Sequence, residues 1–101
     1  MKFNLDNLVQ EFAGLEAKLS DPEIFKDQKK IREVATRKKS IENAVDLYKE
    51  YKRMHNTVEE NKEMLYEEKD EDMRDMLKEE IREYEDKIPE IEEELKMKFT
   101  L

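Results

Sequence analysis

Apolar residues recur three and four positions apart in three successive runs, the period expected of helices with one buried face. The first run is Leu5, Leu8, Val9, Phe12, Leu15 and Leu19, with Asn4 placed to cap it. The second is longer: Ile31, Val34, Ile41, Val45, Tyr48, Val58 and Leu65, with Tyr51, Lys52 and His55 filling the turns between Tyr48 and Val58. The third is Leu77, Ile81, Tyr84, Ile88, Ile91 and Leu95, spaced 4-3-4-3-4, which is a heptad seam. No stretch alternates in the way a half-buried strand would.

The breaks between runs have their own chemistry. In "LSDPEIF", residues 19–25, Ser20 and Glu23 are spaced as a capping box, and Pro22 in the first turn gives up an amide that would be unpaired anyway. No Gly or Pro interrupts residues 23–88, so a helix of about 40 residues, or about 60 Å, is allowed. A second S/T-x-x-E spacing at Thr57 and Glu60 allows a break near Asn56. "EEKDEDM", residues 67–73, has no apolar residue until Met73 and predicts the turn between the long helices, with Asp70 or Asp72 as cap. Pro89 falls inside the third run and should bend or shorten that helix. Gly14 falls inside the first, where it marks either a close backbone approach or nothing.

Three stripes must bury one another. The expected architecture is an all-α, three-helix domain over residues 1–101, one short N-terminal helix packed on a long antiparallel helical hairpin. Its helices are expected at 4–19, at 22–67 with breaks allowed near 27 and 56, and at 72–98 with a bend at Pro89. Ile81 and Tyr84 should face the 51–58 region. A first helix of about 24 Å covers only part of a hairpin of about 60 Å, so the isolated chain is expected to self-associate as a homodimer.

Composition excludes several classes. A chain of 101 residues supports one small domain. It has no Cys, hence no disulfide framework or thiolate metal site, and no apolar run long enough to span a membrane. "MKFNLDNLVQEF" lacks an apolar signal core, so a cytoplasmic setting is expected.

Charge is distributed unevenly. Residues 1–25 carry net −3, residues 26–53 net +5 and residues 54–101 net −10. Within "KDQKKIREVATRKK" the cations Lys29, Lys30, Arg32, Arg37, Lys38 and Lys39 flank the Ile31–Val34 stripe. They either neutralise the acidic third helix or contact RNA or an acidic partner, and Arg37, Lys38 and Lys39 are the candidate contact residues.

Catalytic constellations are missing. The residue three before His55 is Lys52, so the Glu-x-x-His of carboxylate-bridged metal bundles is absent, and no metal or cofactor is expected. No Gly-rich phosphate loop or activated nucleophile occurs. Runs such as "EIEEEL" read as solvated faces, the tyrosines at 48, 51, 66 and 84 as core, and no enzymatic activity is expected.

The order of features is nevertheless specific. "LSDPEIFKDQKK" ahead of a long helix, "AVDLYKEYK" at 44–52, "EEKDEDMRDMLKEEI" at 67–81 and "IPEIEEELK" at 88–96 together run through essentially the whole chain. In these segments it resembles the N-terminal helical domain of the bacterial peptide chain release factor 1 family, the class I translation release factors. That resemblance implies a domain docking on the ribosome, at the stalk base of the large subunit, during stop-codon-dependent translation termination. The family's catalytic Gly-Gly-Gln and codon-reading Pro-x-Thr have no match here, so neither role carries over to any residue. The alternative is a stand-alone helical adaptor that binds a partner helix through an exposed stripe.

Overall fold

A computed structural model describes residues 3–99, with side chains through residue 98. Among these residues there are three α-helices and no strand: α1 (Asp6–Ser20), α2 (Gln28–Glu67) and α3 (Glu71–Phe99), with a 3-10 turn at Pro22–Lys26 between the first two. The chain divides into two compact units, one of Asn4–Asp46 and one built from Leu47 onward together with Phe3. Helix α2 contributes to both.

In the first unit, α1 and the start of α2 are set by aspartate and asparagine side chains that satisfy amides at element starts. Asn4 Oδ1 accepts from the Asp6 amide at 3.1 Å, but the N-cap position of α1 is Leu5, which offers no capping side chain, so Asn4 lies one residue ahead of the cap it is expected to form. At the next break the cap is Asp21, not Ser20: Ser20 closes α1, while Asp21 Oδ1 accepts from the Glu23 amide at 3.0 Å with Pro22 following. Asp27 repeats the device for α2, accepting from the Lys30 amide at 3.0 Å. Two aspartate caps six residues apart leave room only for the short 3-10 turn, and that turn carries Ile24 inward while Phe25 stays exposed. Ile24 joins Phe12, Leu15, Val34, Ile41 and Val45 in the core of this unit, ringed by Leu8, Val9, Leu19 and Ile31. Burying a side chain of this size stabilises by about 1.5–3 kcal/mol.

Gly14 is the one glycine and lies on the exposed side of α1. A Cβ built there meets nothing within 4 Å, and its backbone is not left-handed. No close backbone approach requires it.

The second unit is the antiparallel hairpin. Asp70 caps α3, its Oδ2 accepting from the Met73 amide at 2.9 Å, and the connection is only Glu68–Asp70. Arg74 reaches back from α3 to donate to the carbonyls of Leu65 (2.6 Å) and Glu68 (2.9 Å). Those are the carbonyls a helix end leaves without partners, and α2 has no cation of its own in its last turn. Farther along, Asn61 donates to Glu80, Arg53 lies over Tyr84 and Tyr51 donates to Glu92, so one helix number falls as the other rises. Tyr84 thus faces the expected region, whereas Ile81 borders a hollow with Lys62 and Leu65, nearer the turn.

Helix α2 continues through Asn56 without a break, and α3 continues through Pro89 to Phe99. A proline costs a helix one hydrogen bond there; Ile88, Ile91 and Leu95, buried on either side of Pro89, offset it. Tyr48, Tyr51, Leu77, Ile81 and Leu95 are buried as the pattern predicts, and Tyr66 departs from it by standing almost fully in solvent.

Candidate functional site

The described residues offer no enclosed cleft. Their hollows are shallow and lined by charged ends, as at Lys62, Lys78, Arg82 and Glu85. Among the described residues no three of His, Asp and Glu converge on a point that could hold a metal ion, and no helix is long and apolar enough to cross a membrane. His55 is half-buried with its ring edge-on to Tyr51 at 4.7 Å, and its Nε2 is buried without a hydrogen bond.

The basic stretch on the first half of α2 has the clearest chemical character, and its three candidate residues have different surroundings. Arg37 makes a two-pronged contact with Glu11 of α1: Nε donates to Oε2, and Nη2 donates to Oε1 at 2.8 Å. The fork matches the carboxylate plane, which makes this the strong form of an exposed ion pair. Arg37's hydrogen bonds hold the Glu11 carboxyl below its ordinary value, against the opposing effect of desolvation and with help from the Arg37 charge, and Glu11 in turn raises Arg37. Lys38 lies 4.0 Å from Glu16 and over the Phe12 ring at 5.6 Å, so its stem covers the apolar core of the unit. The partners of both are therefore glutamates of the first helix, not of the strongly acidic third. The expectation based on total charge chose the wrong helix.

Lys39 is different. It is exposed and lies seven residues after Arg32, which is also exposed. Seven residues is almost two full turns, so the two side chains leave the helix in nearly the same direction. Val34 and Ile41 are buried on the other side of α2. Lys29, three before Arg32, extends the row and sits 4.0 Å from Glu33. The outward-facing cations are thus Lys29, Arg32 and Lys39, while Arg37 and Lys38 are turned toward α1. A helical projection of "KKIREVATRKK" contains the signal for this split, since only the 32/39 pair lies opposite the Val34–Ile41 stripe.

Comparison with known proteins gives a consistent answer. Residues 8–100 match the family model described as the PCRF domain. Over 93 residues, 92% of this chain, it is 39% identical to peptide chain release factor 1 of Clostridium tetani and 38% identical to that of Staphylococcus carnosus. It is 37% identical over the same length to peptide chain release factor 1 of Syntrophomonas wolfei. The matched region is 26% of each of these relatives, so the chain spans about a quarter of their length. No solved structure matches it.

Proposed function

The chain belongs to the PCRF domain family, and on that premise we propose that it is the ribosome-docking domain of a peptide chain release factor acting in stop-codon-dependent translation termination. The observation that carries this reading is the agreement over residues 8–100 with a family model, joined to 37–39% identity with proteins named peptide chain release factor 1. Residues 1–101 then act as one helical domain of a larger cytoplasmic factor. Release of the peptide and reading of the codon belong to other parts of that factor, since Gly-Gly-Gln and Pro-x-Thr are absent from this sequence. This domain does not itself catalyse.

Its place is the stalk base of the large subunit, with ribosomal RNA as one partner. Within the candidate set Arg37, Lys38 and Lys39, the free contact with phosphate falls to Lys39, supported by Arg32 and Lys29 in the same outward row. Arg37 and Lys38 would have to exchange their glutamate partners to join it, which gives up the ion pairs they make with α1.

The test uses the full factor that carries this domain and 70S ribosomes programmed with a stop codon. Replacing Arg32 and Lys39 by Gln should lower the salt slope of ribosome binding by roughly two, one for each phosphate no longer neutralised. Termination should slow while helix content is unchanged, because Gln is nearly as good a helix former as Lys or Arg. The 101-residue chain alone should release no peptide. An unchanged salt slope removes the RNA contact; peptide release by the chain alone removes the reading of it as a non-catalytic domain.

A further inference from the structure

The cations that α2 turns outward are separated by neutral hydrogen-bonding side chains. Lys29, Arg32, Thr36, Lys39, Ser40 and Asn43 are all exposed. Steps of three and four residues keep them on one helix face, opposite the buried Val34, Ile41 and Val45. That face is about 21 Å long. Thr36 and Ser40 stand one turn apart in its middle and line a shallow hollow with Arg32, Glu33 and Arg37. Glu33 lies 4.0 Å from Lys29, and Arg37 is held by Glu11, which leaves Arg32 and the two hydroxyls for a ligand. The Ser40 hydroxyl donates to the Arg37 carbonyl at 2.7 Å, so its hydrogen is committed and its oxygen remains an acceptor.

A row of cations alone would answer phosphate of any kind. Hydroxyl and amide groups set between the cations match a ligand whose phosphates are interleaved with neutral hydroxyls, which is the chemistry of RNA. The 2′-hydroxyl both donates and accepts, and in an A-form duplex it is displayed in a wide, shallow minor groove. DNA has no such hydroxyl, and its minor groove, about 6 Å wide, is too narrow to admit a helix. Residues 29–43 carry no aromatic ring on which the bases of a single strand would stack. We propose that this face of α2 binds double-helical RNA across its minor groove, with Lys29, Arg32 and Lys39 at phosphates and Thr36, Ser40 and Asn43 at 2′-hydroxyls.

The proposal rests on the ribosome-docking reading and adds a division of roles within one surface. The cations supply attraction that any nucleic acid would feel. The neutral side chains supply the preference for RNA, and two hydroxyl contacts at the usual net worth of a hydrogen bond amount to roughly tenfold.

The experiment titrates the 101-residue chain into a fluorescent RNA duplex of about 16 base pairs, the DNA duplex of the same sequence and one RNA strand alone. Pelleting with 70S ribosomes is a separate measurement. The RNA duplex should bind about tenfold more tightly than the DNA, and more tightly than the single strand. Thr36→Val with Ser40→Ala should reduce the preference for RNA over DNA to about threefold or less. Its helix content and salt slope should stay those of the unmodified chain, because no charge changes. Arg32→Gln with Lys39→Gln should do the converse, lowering the slope on both duplexes by roughly two and keeping the preference. A chain that pellets but binds no duplex, binds RNA and DNA alike, prefers the single strand, or keeps its full preference without the two hydroxyls overturns the RNA-groove surface alone. Failure of the unmodified chain to pellet overturns the ribosome reading, and this surface with it.

Discussion

The Tyr51 hydroxyl donates to Glu92 Oε2 across the hairpin at 2.9 Å, from a ring with no solvent exposure. The ring also meets Phe3 and His55 edge-on and Tyr48 at a tilt. Tyr51 is thus a core residue whose only polar end is spent on fixing α3. Tyr51→Phe keeps the packing and removes the bond, and should lower stability by about 1.5 kcal/mol, since the acceptor is a carboxylate. Tyr51→Ala should cost about 3–5 kcal/mol through the void it opens. Urea unfolding followed by circular dichroism separates the two; an unchanged midpoint for Tyr51→Phe would show the bond to be idle.

Gly14→Ala should stabilise. Its Cβ meets open space and the backbone is helical, so the substitution only removes freedom from the unfolded chain. The expected gain is about 0.5–1 kcal/mol, or a few degrees in Tm for a domain of this size. Thermal unfolding checks it.

Glu11 gives a pH dependence of known sign. Arg37 holds its carboxyl low in the folded chain, so the folded pKa lies below the unfolded one. The stabilisation is fully present above the ordinary glutamate value of about 4.3 and is lost as pH falls through it toward the lower folded value. Comparing the chain with Glu11→Gln across pH 7 to 3, the stability difference should shrink toward the acid end. Raising the salt should shrink it at neutral pH, because both side chains are partly in solvent.

Arg37 and Lys39 should separate in opposite directions. Arg37→Gln breaks a two-pronged contact between helices and should lower the urea midpoint. Lys39→Gln should leave the midpoint where it was and lower the salt slope of ribosome binding by roughly one. If the two variants behave alike in both measurements, the split between inward and outward cations has no functional meaning.

Much of this fold is legible in the sequence because its determinants are local. The 4-3-4-3-4 seam of α3 stands out against flanking acids, and the apolar gap before Met73 locates the turn to within a residue or two. The failures have a common cause in partners that lie elsewhere in the chain. Asn61 is buried in the α2 stripe only because Glu80 accepts its amide, and no local pattern announces that. Ser20 and Asp21 both offer a capping oxygen; Pro22 favours the residue immediately before it, which must be extended, as Asp21 is. The pairing of Arg37 with Glu11 spans 26 residues, and net charge pointed to the most acidic helix. Exposed charges are screened beyond about 8–10 Å, so the nearest carboxylate wins over the largest total.

The turn at Glu68–Asp70 has a kinetic consequence. Leu65 and Arg74 are joined by a bond that closes only nine residues of chain, and closing so short a loop takes little entropy and on the order of 10–100 ns. The hairpin can therefore be started from its turn and zipped toward Tyr51 and Glu92, each new pairing adding a short step to one already made. Such an order places Arg74 in the folding nucleus and Tyr51 after it. Arg74→Ala should slow folding while leaving the unfolding rate nearly unchanged, and Tyr51→Phe should do the reverse.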